Sequence, residues 1–309
     1  MQRRRAAFAI IVGTIAGLYA WLGIVIHHGS FVPDFQFFWS SARILLSGRS
    51  PYIGFPTPVP DPLYYPLPTV LAAVPVAWLP LSVAAGVAVG ASTAALACIV
   101  PSWRWPMFAS AAFVMAASQG QWSPLIVVGA LVPAAGYLAV LKPNLGLAAF
   151  AYRPTARGIV LAGMALLLSI AALPSWPWEW IRNLRTLEGH PPPLFTLSGS
   201  FLWLALLRWR TPEARLLLAM AAVPQLLFFA DQLPLWLIPR TRKQTTLLSG
   251  LSLIGYGAFY VSLGQGDRYV PAAAPFVLAF VYLPALALVL LAPGPVPRAT
   301  GRTPSVIDA

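Results

Sequence analysis

Apolar positions along this chain come in long runs, not in the alternation of a half-buried strand or the one-sided stripe of a soluble helix. The runs fall near 6–26, 65–80, 82–101, 106–118, 122–140, 158–174, 199–207, 216–230, 245–264 and 270–292, with a short apolar segment at 143–152. A helix needs ~20 such residues to cross a hydrocarbon core of ~30 Å, and lipid tolerates only structures that satisfy their own backbone hydrogen bonds. The pattern predicts an all-α, polytopic integral membrane protein of about nine to eleven helices, several too short for a full crossing. Residues 1–292 form one transmembrane domain. The polar interruptions at 27–64 and 175–199 are expected as exterior loops, and the Pro/Gly-rich end, 293–309, as a disordered cytoplasmic tail.

One spacing breaks a simple up-and-down pattern. Lys142 and Arg153 are separated by only ten residues, which as helix cover about 15 Å and cannot cross a bilayer. Either Lys142 lies on the cytoplasmic side with Arg153, or the chain breaks at Pro143 and Lys142 sits at depth facing a cavity. The side on which Arg104 lies is equally open, and a bundle with broken helices fits better than regular spans.

Composition agrees with the pattern: 59% of residues are hydrophobic and 9% charged, with a mean hydropathy of +0.74. A soluble domain does not hide that much apolar surface. The formal charge of +12 lies in short clusters between apolar runs, at Arg3 to Arg5, Arg153 with Arg157, Arg208 with Arg210 and Arg215, and Arg240 with Arg242 and Lys243. That is the positive-inside pattern with a cytoplasmic N-terminus, not a nucleic-acid-binding stripe. The first run follows "MQRRR" like a signal peptide, but it is too long and has no small-residue cleavage site, so it reads as a retained span. Cys98, the single cysteine, sits in an apolar run as a packing residue.

The stretch "PDFQFFWSSARILLSGRSPY", residues 33–52, places Phe35, Phe38, Trp39, Ala42, Leu45 and Leu46 at helical spacing, with Gln36, Ser40 and Arg43 on another face. It predicts a helix lying flat at the membrane interface. Asp34 falls at its start, as an N-cap or as a functional carboxylate. A capping box is absent, since Phe37 occupies the third helical position.

These residues also carry a resemblance. A carboxylate after the first span, then "SARILLSGRSPY", then "YYPLP" opening the second, resembles glycosyltransferase family 87, the polyprenol-phosphate-mannose-dependent mannosyltransferases of the GT-C superfamily. "SQGQWSPLIVVGAL" is similar to the family's Gly-Gln turn, and "AVLKPNLGLAAFAYRP" to its Lys-Pro break before a basic turn. The Trp-rich 175–188 falls where an exterior loop is expected, so the likeness touches most of residues 8–190. The chain departs from the pattern at Leu67, at Ser123 and in "TLSGSFLWL".

The resemblance implies a GT-C-like bundle in the bacterial plasma membrane that transfers a hexosyl, specifically a mannosyl, unit. The donor is a polyprenyl-phosphate-sugar, the acceptor a glycan or glycolipid at the outer face, and the outcome inversion. The donor is already activated, so the chemistry needs one base on the acceptor hydroxyl and a cation on the leaving phosphate. Asp34 is the implied base among the eight acids, because Asp308 lies in the tail, Glu213 among arginines, and Glu179 and Glu188 in the Trp-rich loop. Asp61, Asp231 and Asp267 are its rivals. Arg268, beside Asp267 in "GQGDRYVP", and Lys142 are the phosphate candidates, with Gln121, Tyr52 and Tyr65 as sugar contacts. Snorkelling to headgroups is the plainer role for Arg268, and interface anchoring, rather than stacking on a sugar, for Trp176, Trp178 and Trp180.

No Asp-x-Asp pair, zinc spacing, Walker loop or dinucleotide fingerprint occurs in the sequence, so no metal or cofactor is expected. His27 and His28 read as interfacial. The principal alternative is a transporter or flippase of lipid-linked saccharides, with Lys142 and Asp231 lining its path.

Overall fold

The computed structural model describes residues 2–26, 33–53, 62–186, 191–263 and 270–293. Asp61, Glu188, Asp267, Arg268, the His27–His28 pair and the tail beyond 293 lie outside the described residues. The described residues are helical and contain no strand. The α-helices are α1 (Gln2–Ile26), α2 (Asp34–Leu46), α3 (Leu67–Ala73), α4 (Leu81–Ile99), α5 (Ala111–Gln119), α6 (Ser123–Leu131), α7 (Pro143–Tyr152), α8 (Ala156–Ala172), α9 (Trp176–Leu184), α10 (Pro212–Ala222), α11 (Arg242–Ser262), α12 (Ala274–Val277) and α13 (Leu283–Leu291). Short 3-10 segments join several of them, and a π-helical turn, Leu278–Tyr282, links α12 to α13.

Among the described residues three helical stretches are long and apolar enough to cross a membrane: Arg3–Ile26, Leu81–Ile99 and Ala274–Leu291. A fourth arises if α8 and α9, bent by 100° at their junction, form one span. Their outward faces are apolar too. Ile10 and Ile15 on α1, Leu167 and Leu168 on α8 and Leu283 and Leu291 on α13 are exposed, which suits lipid and not water. The protein is thus a membrane-embedded helical bundle.

Other apolar runs are divided, and proline is the cause. The ring disfavours helical backbone in the residue before it. Val132 before Pro133 (φ −116°, ψ 105°) separates α6 from the 3-10 segment Pro133–Leu141. Lys142 before Pro143 (φ −142°, ψ 88°) separates that segment from α7. Val223 before Pro224 (φ −85°, ψ 140°) ends α10 and opens the irregular stretch 223–228.

Helices α1 and α4 pack through glycine. A Cβ on Gly17 would lie 2.7 Å from the Gly86 carbonyl oxygen, and one on Gly13 2.8 Å from that of Gly90. Two Gly-x-x-x-Gly pairs therefore face each other and let the backbones touch. Cys98 on α4 is exposed, a correction to its expected packing role.

Helix α2 forms where its spacing predicts, but its apolar face is covered by protein. Phe35, Phe38 and Ala42 are fully buried, whereas Leu46, expected on the same face, is exposed. Trp39 ties α2 to the chain after α3 by donating its indole N–H to the Leu79 carbonyl at 3.0 Å. Gly120 makes the packing feasible: it ends α5 at φ +65°, and a Cβ there would meet the Phe35 Cβ at 2.5 Å. Only glycine meets both conditions, and the next residue in the chain is Gln121.

Candidate functional site

Asp34 is the first residue of α2, and its preceding residue, Pro33, is extended (φ −70°, ψ 151°) and provides no side-chain cap. The capping role considered for Asp34 is therefore corrected, because its carboxylate turns away from the helix. Oδ2 accepts a hydrogen bond from the Tyr65 hydroxyl at 2.9 Å and another from the Gln121 side-chain amide. The Gln121 Oε1 accepts from Lys142 Nζ at 3.4 Å. This amide bridges the carboxylate and the ammonium, with its N–H toward the first and its carbonyl toward the second.

Lys142 stands at the break before Pro143. Its side chain faces a cavity. Its Nζ pairs with Asp231 Oδ1 at 2.6 Å and lies 5.6 Å from the centroid of the Tyr65 ring. Both partners of the pair are largely buried, with side chains 14% and 11% exposed. Asp231 comes from the short 3-10 turn Phe229–Asp231.

The segment 62–66 that carries Tyr65 is held through its carbonyls. Trp180 donates its indole N–H to Tyr64 O at 2.8 Å, Asn183 donates to Leu63 O at 3.2 Å, and Tyr52 donates its hydroxyl to Tyr65 O at 3.0 Å. Tyr52 thus stands behind Tyr65.

Asp34, Tyr65, Lys142 and Asp231 line one cavity of ≈ 570 Å³, together with Tyr64, Asn144, Trp180 and Gln225. That volume lies within the ~300–1,000 Å³ typical of small-molecule sites. A groove of ≈ 600 Å³ along α1 and α4 holds no ionisable side chain.

Burial of Asp34 holds its carboxyl above the ordinary range of a carboxylate; the Lys142 ammonium and the Tyr65 hydrogen bond pull it back down, and the Asp231 charge pushes it up. A carboxylate so tuned is a stronger base than one in water, and it faces a cation across the same space.

Five of the sequence-derived residues, Asp34, Tyr65, Gln121, Lys142 and Asp231, are therefore brought together; Tyr52 is one layer removed. Sequence reasoning missed Tyr64, Asn144 and Gln225. The three tryptophans share one expected role, yet Trp176 is buried, Trp178 exposed and Trp180 in the cavity wall. The signal available was helical phase, since positions 176 and 180 share a face of α9 and 178 opposes it. Comparison with protein-family models, with curated proteins and with solved structures finds no match to this chain.

Proposed function

We propose that this chain is a GT-C-like membrane hexosyltransferase of about nine to eleven spans, with its N-terminus in the cytoplasm and its site at the outer face of a bacterial plasma membrane. It transfers a hexosyl unit, mannosyl by its likeness to glycosyltransferase family 87, from a polyprenyl-phosphate-sugar to a glycan or glycolipid acceptor. The observation that carries the proposal is the convergence of Asp34, with its raised pKa, and Lys142 on one cavity.

Asp34 acts as the general base. Both hydrogen bonds to it fall on Oδ2, so Oδ1 is the oxygen offered to the acceptor hydroxyl. It takes that proton as the hydroxyl oxygen bonds to the anomeric carbon and the carbon–phosphate-oxygen bond breaks, with inversion, because no enzyme carboxylate bonds the sugar. Lys142 stabilises the departing phosphate. Pro143 and Asn144, in the first turn of α7, also line the cavity, and helix N-termini favour anions. Arg268 is proposed as a second cation for the phosphate, with Tyr65 and Gln121 orienting the base.

Asp34→Asn tests the proposal. Asparagine removes the proton acceptor, and loss of a positioned base lowers rate by about 10² to 10⁴. Purified variant and parent are to be assayed with labelled polyprenyl-phosphate-mannose and crude membrane acceptors. The expected outcome is transfer nearly abolished with insertion and thermal stability retained; transfer within a few-fold of the parent would remove Asp34 from this role.

The ion pair Lys142–Asp231 facing a cavity also suits a transporter or flippase of lipid-linked saccharides. Movement of intact labelled donor across proteoliposomes, without product, would favour that second reading.

A further inference from the structure

The cavity is lined by two kinds of side chain. Asp34, Lys142 and Asp231 supply the charge, while Tyr64, Trp180 and Leu184 supply an apolar and aromatic wall. We infer that Trp180 is the stacking platform for the pyranose ring, with the Asn144 carbonyl oxygen accepting from a ring hydroxyl; the inference rests on the cavity being the transfer site.

The indole is already fixed. Its N–H is spent on Tyr64 O at 2.8 Å, so what it offers the cavity is the ring and not a donor. Trp176, buried beside it at 5.8 Å between centroids, backs it from the core. A platform held in place by the protein loses little freedom on binding, which is the condition under which an aromatic surface contributes most. Carbohydrate rings present C–H groups on one face, and those groups suit an aromatic face where charged side chains do not.

Asn144 stands on the same cavity, in the first turn of α7. Its side-chain N–H donates to Pro224 O at 3.1 Å, which orients the amide and leaves its oxygen as an acceptor for a hydroxyl. Gln225 differs. Its N–H groups go to Met220 O and Tyr282 Oη, and its oxygen accepts from Gln232 at 3.0 Å. Its own amide is fully used within the protein, so it shapes the wall without reading the sugar.

The test measures the affinity of detergent-purified protein for two probes, a short-chain prenyl phosphate and the same lipid carrying mannose. Trp180→Leu removes the ring and the N–H; Trp180→Phe removes the N–H but keeps a ring; Trp178→Leu removes an exposed tryptophan of the same helix. In the parent protein the mannosylated lipid is expected to bind ~10-fold more tightly than the bare one, the scale of one good stacking contact. Trp180→Leu is expected to close that gap while leaving affinity for the bare prenyl phosphate unchanged, which also reports an intact fold. Trp180→Phe and Trp178→Leu are expected to keep the gap. A gap that survives in Trp180→Leu overturns the inference. So does equal loss in Trp180→Phe, which would make the role that of a hydrogen bond to Tyr64. Bare lipid bound without any gain from mannose in the parent overturns the platform while sparing the site; failure of both probes to bind overturns the two together.

Discussion

At the scale of residues, the balance of charge around Asp34 decides the chemistry. Lys142 stands between two carboxylates, at 2.6 Å from Asp231 and linked to Asp34 through Gln121. Only ionised Asp34 can accept a proton, so transfer is expected to rise with pH through its raised pKa. Removing the cation by Lys142→Gln deletes an influence that lowers this pKa, so the acid limb is expected to move to higher pH. Asp231→Asn deletes an influence that raises it and is expected to move the limb to lower pH. A pH–rate profile for each variant checks the pair, and shifts of the same sign would contradict this account of the site. The stability sign follows from the same direction. A carboxyl whose pKa is raised by folding stabilises the fold below its unfolded pKa, and this contribution is lost as pH rises through the folded value. A neutral amide at that position therefore avoids the burial of a charge, and this is the physical reason Asp34→Asn is expected to remain folded.

At the scale of elements, what stands out is how few side chains separate α1 from α4. Gly13 and Gly17 face Gly90 and Gly86 at separations that no Cβ can enter without a shift. Leucine at Gly17 would meet the backbone of Gly86, which cannot rotate aside as a long side chain can. Overpacking of this kind costs about 1–3 kcal/mol or more. Gly23 lies on the same helix with nothing within 4 Å, and leucine there is expected to leave stability unchanged or raise it by up to about 1 kcal/mol. Thermal unfolding of Gly17→Leu and Gly23→Leu in the same detergent compares the two sites, and equal midpoints would show that the contact does not hold the helices together. The proline breaks act in the opposite way, by preventing regular structure. The break at Lys142–Pro143 is useful because it releases Lys142 from helical backbone just where the chain passes Asp231.

At the scale of the whole molecule, α1 with its 25 residues is about 37 Å long, enough to separate the basic N-terminus from Asp34 by a bilayer. Helix α7 then leads from Lys142 at the cavity to Arg153, at the end where Arg215 donates to Ala151 O at 3.0 Å. In a Cys98→Ser background, cysteine at exposed Arg49 is expected to react with a membrane-impermeant maleimide in intact cells. Cysteine at exposed Arg157 is expected to react only after permeabilisation. Equal labelling would refute the orientation. Much of the helical architecture was legible in the chain. Hydropathy is a local quantity, so the membrane class and most helix positions follow from it, and proline sterics place the breaks. The amphipathic spacing of 34–46 marks α2, and Asp34, Lys142 and Asp231 stand out as charges beside or within apolar runs, whereas Gln121 and Tyr65 are singled out only by the family resemblance. What hydropathy does not carry is azimuth: a membrane helix is apolar toward lipid and apolar toward its neighbours, so its sequence does not say which face turns inward. That Asp34, Tyr65, Gln121, Lys142 and Asp231, from five separate segments, come together, that α2 lies on protein instead of lipid, and that Trp180 alone of three neighbouring tryptophans reaches the cavity were decided by long-range packing, because only the assembled helices set those directions.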